Sequence, residues 1–308
     1  MKILVTGSAG FVGSHLVDAL LKAGHRVHGI DNFSTGRRAN LSNPAIDQVL
    51  HYPFDIAVDR TKIEDRIAGY QYDYIFHLAA MARINECDEK PHYSTLVNLE
   101  SVLWLVDKAR QYGVKGFVFS SSSSVYGEVK EEVPIREDRL HNPANLYGIQ
   151  KSAAEKLVLR YGKLYPDIKV AALRYFNVWG TKRNNPEGAY PQVFSSFQKR
   201  YLQKLPLIIY GDGEQRRDFV HVFDVVRANM RFLEADAVWG QAYNIGTGQT
   251  HSINEVAALW TKAVGIEHHP ARAGDIRFSC ADIFEAREIL KWQAKISFEE
   301  GVDIWKKS

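Results

Sequence analysis

A doubly wound parallel α/β sheet with a smaller, less regular second lobe is the fold that this chain of 308 residues predicts. Three observations carry that prediction. Through the first half, short apolar runs of strand length alternate with amphipathic stretches of helical period. A glycine-rich turn joins the first run to the first helix. Beyond about Phe176 the alternation gives way to longer loops rich in turn formers. Regular alternation of this kind winds helices over both faces of a parallel sheet.

Taken in order, "KILVT" is a buried strand, Phe11 to Ala23 a helix, "RVHGI" a strand and "YIFHLAA" another. Thr95 to Tyr112 reads as a helix, "GFVFSS" as a strand, Asn145 to Tyr165 as a helix and "KVAALRYF" as a strand. Then come "TKRNNPEGAYP" and "YGDGEQRRDF", which read as loops, while "AYNIGTG" looks like a late strand returning to the sheet. The expected division is a dinucleotide-type half over 1–175, with returning segments near 217–247, and a substrate-binding lobe over 176–308.

Composition narrows the function. The content is 45% hydrophobic and 24% charged, and the formal charge of +3 comes from dispersed residues, so neither nucleic acid nor a membrane surface is expected as a partner. No apolar run approaches the roughly 20 residues of a membrane span, and "MKILVTG" enters structure at once without a signal-peptide pattern, so a cytoplasmic location is expected. Only Cys87 and Cys280 are present, and no His/Cys group has ligand spacing; no metal is expected.

In "VTGSAGFVGSHL", Gly7, Gly10 and Gly13 stand at three-residue spacing between a strand and a helix. Such a turn lets backbone approach a pyrophosphate at the positive end of the helix. Asp31 closes the second strand 18 residues after Gly13, where a carboxylate can bond the adenosine ribose hydroxyls and favour NAD over NADP. Arg37 and Arg38 lie nearby, and a guanidinium could accept a 2′-phosphate instead. Together these predict a Rossmann-type cofactor half.

A second cluster lies across the expected crevice. "NLYGIQKSAAEK" places Tyr147 and Lys151 one helical turn apart on one face, and "FVFSSSSSVYG" runs a strand into Ser120 to Ser124, about 25 positions earlier. Ligands of wound sheets sit beyond the carboxyl ends of the strands, so these serines should face the glycine turn. A phenol is a poor base at neutral pH, but an adjacent ammonium favours its phenolate.

With "TGSAGFVGSH", "FHLAA", "SSSSVYG", "YGIQK", "LRYFNVWG", "GDGEQRRDFVHVFDV" and "RAGD" assembled, nearly the whole chain resembles the extended short-chain dehydrogenase/reductases, and within them the NAD-dependent nucleotide-sugar epimerases. The resemblance implies Tyr147 and Lys151 as the catalytic pair with Ser122 as the catalytic hydroxyl. It implies NAD held by Gly7, Gly10, Phe11, Val12, Gly13, Asp31, Asn32, Ser34, Asp55, Ile56, Leu78, Ala79, Ala80, Asn98, Ser120 and Tyr175, together with Tyr147 and Lys151. Tyr147, assisted by Ser122, would take the proton of a sugar O4 hydroxyl while C4 is oxidised; the 4-keto sugar turns over and is reduced on its other face.

By the same resemblance a UDP-sugar is bound by Ala82, Ser122, Ser123, Ser124, Tyr147, Asn177, Val193, Tyr210, Arg217, Arg272, Asp275 and Ser279. Ser123 and Ser124 stand where related dehydratases carry carboxylates, which disfavours elimination of water. Ser279, where a tyrosine would restrict the site to glucose and galactose, leans towards UDP-GlcNAc/UDP-GalNAc with UDP-Glc/UDP-Gal. UDP-glucuronate 4-epimerisation is the alternative, with Arg83 or Lys182 meeting the carboxylate, and a non-catalytic dinucleotide sensor the alternative of another class. Two long helices resemble the pair that forms a homodimer interface in this family.

Overall fold

The computed structural model describes residues 1–41, 50–129, 131–181, 183, 193–234, 236–260, 264–271 and 275–307. Its centre is a seven-stranded sheet whose strands all run parallel. In chain order these are β1 (Lys2–Thr6), β2 (Arg26–Ile30), β3 (Leu50–Tyr52), β4 (Tyr74–His77), β5 (Gly116–Ser122), β6 (Lys169–Tyr175) and, after an interval, a late strand Ala242–Ile245. That late strand, the one read from "AYNIGTG", lies outermost beside β6; β3 forms the other edge.

Alternate residues of each strand enter opposite layers of core, as the period of two requires. On one face Ile3, Val5, Val118 and Leu173 pack against Leu16, Val17 and Leu20 of α1 (Phe11–Lys22). On the other, Leu4, Phe117, Phe119 and Val170 meet α2 (Arg60–Tyr70). The same layer takes in a near-continuous helix through α4 (Pro91–Thr95) and α5 (Ser101–Gln111), and then α6 (Leu146–Leu164). A short α3 (Ile84–Glu89) precedes α4. Between α4 and α5 one turn, Leu96–Glu100, is wound as π-helix. Asn145 starts α6, its side chain accepting the Gly148 N–H at 2.9 Å.

The second half is built from small pieces. β7 (Asn177–Trp179) pairs with β10 (Phe219–His221), and β9 (Arg216–Arg217) is flanked by β12 (His251–Ser252) and β14 (Phe278–Ser279). β8 (Leu207–Tyr210) pairs with β13 (Ile266–His269), and β11 is the late strand named above. A separate aromatic core of Trp179, Phe194, Phe197, Phe219 and Trp260 holds these pieces together. The next helix in the chain after α7 (Val193–Leu202), α8 (Val222–Met230), belongs instead to the large sheet, where Val222, Val225 and Val226 join the core over α1.

Candidate active site

The glycine turn is shaped by contacts that only glycine permits. Gly7 has φ +70°, and a Cβ there would stand 2.8 Å from the Ala79 nitrogen; at Gly13 it would stand 2.0 Å from the Gly7 carbonyl oxygen. Leu78 and Ala79, just after β4, therefore lie directly against the turn. α1 begins after Gly10 with no side-chain cap and no acidic residue in its first turn, which leaves the amides of Phe11, Val12 and Gly13 without a capping anion.

Asp31 ends β2 beside this turn. Its carboxylate accepts the Ala9 N–H at 2.9 Å and the Phe33 N–H at 2.8 Å, and burial pushes its pKa up. Asn32 is exposed and donates to Asp55 at 2.7 Å, the Tyr93 hydroxyl donates to the same oxygen at 2.5 Å, and the Ser34 N–H bonds Asn32 Oδ1 at 3.0 Å. Ile56 is buried beneath. Arg38 lies over the Phe33 ring at 4.3 Å and Arg37 leans to Asn40.

Asn98 sits in the π turn, fully buried. Its Oδ1 accepts the Met81 N–H at 2.8 Å, and its Nδ2 donates to the Met81 carbonyl at 2.9 Å and to Gln150 at 2.8 Å. It clamps the loop after β4 to α6, the helix that carries Tyr147 and Lys151. Gln150 completes the clamp through Ser94 and Thr95 of α4. Sequence reasoning passed over Gln150, whose partners lie more than 50 positions away.

At the carboxyl end of β5 the serines divide their work. Ser120 Oγ donates to the Tyr175 hydroxyl at 3.0 Å, which is held in turn by Asn229, while Ser121 Oγ donates to Glu155 at 2.6 Å. Ser122 accepts from the Ser124 N–H and hydroxyl at 3.2 and 2.9 Å, and its hydroxyl lies close enough to the Tyr147 phenol to pull the phenol's pKa down. Lys151 is 2% exposed, with Nζ donating to the Ser120 carbonyl at 2.8 Å and lying 5.9 Å from the Tyr147 ring centre.

The electrostatics differ from the simple expectation of a lysine favouring a phenolate. Burial raises the Tyr147 pKa to about 12, against which only the Ser122 hydroxyl pulls, and burial lowers Lys151 to about 7. In the protein chain alone the phenol holds its proton, because desolvation outweighs an ammonium directed at a carbonyl.

In the second half, Asn177, Val193, Tyr210, Arg217 and Asp275 line one cavity of about 220 Å³, with Phe219 in its wall. Arg217 donates to Asp275 at 2.7 Å, and Gln215 donates to the Tyr210 carbonyl at 3.0 Å. Gln215 also lines the cavity; it stood in the quoted "GDGEQRRDF" without being chosen. Ser279 is buried at the register position opposite Arg217 but does not line this cavity, and Ala82 is exposed in the loop after β4. Arg272 and Lys182 lie outside the described residues. Among the described residues no group of His, Cys, Asp or Glu could hold a metal ion, and no helix is long and apolar enough to cross a membrane.

A wound parallel sheet with an uncapped glycine-turn helix and a Tyr-x-x-x-Lys pair beyond its strand ends defines a dinucleotide-dependent oxidoreductase-type site. Residues 3–246 match the model of the NAD dependent epimerase/dehydratase family. The chain is 37% identical over 307 residues to UDP-glucose 4-epimerase of Mycolicibacterium smegmatis, covering 98% of this chain and 96% of the relative. Among solved structures it is similar to UDP-glucose 4-epimerase of Thermotoga maritima with UDP-glucose (TM-score 0.93, 36% identity, covering 100% and 98% of the two chains). It is also similar to UDP-N-acetylglucosamine 4-epimerase of Methanobrevibacter ruminantium in complex with UDP-N-acetylmuramic acid (TM-score 0.91, 32% identity, 99% and 97%). The chain belongs to the NAD-dependent epimerase/dehydratase family, as an NAD-dependent enzyme of the nucleotide-sugar 4-epimerase kind. The cradle fits NAD: the uncapped start of α1 suits a pyrophosphate, and Asp31 offers a buried carboxylate where a ribose would lie.

Proposed function

We propose that the chain interconverts the C4 epimers of a UDP-hexose, with UDP-GlcNAc/UDP-GalNAc and UDP-Glc/UDP-Gal as its substrates, and that residues 1–175 with 217–247 hold NAD while 176–308 hold the nucleotide sugar. The observation that carries the chemistry is the juxtaposition of Tyr147 with the Ser122 hydroxyl, with Lys151 fixed one turn below on the Ser120 carbonyl. NAD, when bound, supplies a reversible hydride acceptor. As the phenolate that the positive charge of bound NAD, together with Lys151, would favour, Tyr147 takes the proton of the sugar O4 hydroxyl and later returns it, and Ser122 holds that oxygen in line. Lys151, half-charged near neutral pH, steadies the end of β5 and contributes positive potential beside the phenol. Because the redox change is reversed within one turnover, no external reductant is consumed.

Arg217 supplies a guanidinium fork for the diphosphate in the cavity that Tyr210 and Asn177 also line, and Asp275 orients it until substrate arrives. The lean towards N-acetylated sugars rests on the small Ser279 beside Arg217. A homodimer is proposed through α5 and α6, where Leu103, Ile149, Leu157 and Leu164 are exposed; a monomer by light scattering would refute it. The deciding experiment incubates the enzyme with UDP-GlcNAc, UDP-glucose and UDP-glucuronate in parallel, beside Tyr147→Phe. Turnover of UDP-GlcNAc that vanishes in the variant supports the proposal. Turnover of UDP-glucuronate alone overturns the substrate, and an active variant overturns the role of Tyr147.

A further inference from the structure

Three residues spaced one turn apart on α6 meet three consecutive serines at the end of β5. Tyr147 stands beside the Ser122 hydroxyl, Lys151 donates to the Ser120 carbonyl at 2.8 Å, and Glu155 accepts from Ser121 Oγ at 2.6 Å. The first two belong to the site already described. The third lies below it, 1% exposed, and is tied more firmly than either.

Arg174 of β6 donates through Nε to both Glu155 oxygens at 3.2 and 3.0 Å and through Nη2 to Oε1 at 2.6 Å. Its Nη1 donates to the Tyr126 hydroxyl at 2.6 Å and to the Glu137 carbonyl at 2.8 Å; the Tyr126 hydroxyl donates to Asn244 of β11 at 2.6 Å. His141 stands 3.6 Å from the same carboxylate and bonds Ser152 at 2.8 Å. One buried carboxylate thus joins α6 to β5 directly, and through Arg174 to β6, to the segment between β5 and α6, and to β11.

A buried ion pair is poor evidence of added stability, since desolvation offsets much of its attraction. What a fully bonded pair does supply is a fixed geometry. Here the geometry it fixes is the register between α6 and the end of β5, on which the meeting of Tyr147 with Ser122 depends.

We propose that Glu155 is a positioning residue: by anchoring Ser121 it holds the end of β5 against α6 so that the Ser122 hydroxyl and the Tyr147 phenol stay side by side. It acts through Ser121 and touches no substrate. The proposal rests on the roles given above to Tyr147 and Ser122.

Removing Glu155 would leave the Arg174 charge buried without its partner and can unfold the protein, so Ser121→Ala carries the test; it deletes one rung and leaves the ion pair whole. The NAD-loaded enzyme is assayed with UDP-glucose or UDP-GlcNAc, whichever the parent turns over faster. Expected is a fall in kcat on the order of tenfold, with KM, bound NAD and melting temperature unchanged, and recovery in Ser121→Thr, which restores the hydroxyl. A variant with the parent's kcat overturns the proposal. So does a kcat that falls only in step with lost NAD or lost folded protein. Tyr147→Phe is run beside it: if that variant is as active as the parent, the reading of the site itself fails, whereas an inactive Tyr147→Phe with a normal Ser121→Ala removes only the role of Glu155.

Discussion

The two halves of this molecule hold their functional side chains by different means. At the end of β5, Lys151 and Glu155 are 2% and 1% exposed, and Ser120 and Ser121 are hydrogen-bonded to β6 and α6. In the cavity of the second half, Arg217 stands on a two-residue strand, and its partner Asp275 has a side chain 34% exposed. On the proposed roles, chemistry is placed at the end of a continuous sheet, and recognition where an ion pair can open for an incoming phosphate. The lesson is that rigidity is local to the reacting atoms; the binding residues are held only as firmly as substrate exchange allows.

The largest effect should come from the rigid half. Tyr147→Phe is expected to lower kcat by about 10²–10⁴-fold while KM and bound NAD change little, measured by steady-state kinetics and cofactor release. A comparable rise in KM would break the contrast. Arg217→Ala should do the reverse, raising KM by roughly tenfold to a hundredfold with kcat within a few-fold, as loss of a charge-assisted phosphate contact implies. Arg217→Lys should recover only part of this because it lacks the fork. Next, Gly7→Ala forces a Cβ against Ala79 at φ +70° and should cost about 1–3 kcal/mol, with weaker NAD retention, read by denaturant titration and cofactor content.

The smallest effects are pH-dependent. Burial holds His77 and His15 at about 3 and His221 at about 4, below their ordinary 6.5. Between those values the unfolded chain binds more protons, so stability present above pH 6.5 is lost progressively as pH falls towards 3. Lys151, at about 7 in the fold against 10.5 unfolded, works in another window: stability rises as pH goes from about 7 to 10.5. Urea midpoints across pH should show both slopes, and Lys151→Met should flatten only the alkaline one.

The same contrast governs what the sequence discloses. β1, α1, β5 and α6 are long or strongly patterned, and their glycines, serines and Tyr/Lys pair stand at spacings that mean something locally. β9, β12 and β14 are two residues each and have no period to read; only pairing partners 34 to 62 positions distant define them. α2 was missed because just Ile63 and Ile67 of its eleven residues are buried, too narrow a stripe to stand out. Glu155 sits eight residues past Tyr147 in plain view, yet nothing local separates it from a solvated helix glutamate; its partners Ser121, Arg174 and His141 meet it only in the folded chain. The pKa values of Tyr147 and Lys151 were equally out of reach, because spacing gives proximity but not depth.

The residue after Arg217 has a consequence for the order in which the chain can become ordered. Asp218 is wholly buried, and its carboxylate accepts the Thr247 N–H at 2.8 Å, the Gly248 N–H at 3.0 Å and the Ala281 N–H at 3.1 Å. Until residue 281 has been synthesised, that carboxylate lacks its last partner, and the strand bearing Arg217 has no β14 beside it. The strands from β1 to β6 are all present by Tyr175, while the core over α1 waits for Val222, Val225 and Val226 of α8 and the outer edge of β6 for β11. The cavity that Arg217 and Asp275 line is therefore the last part of the molecule to take shape, closed by segments drawn from late in the chain.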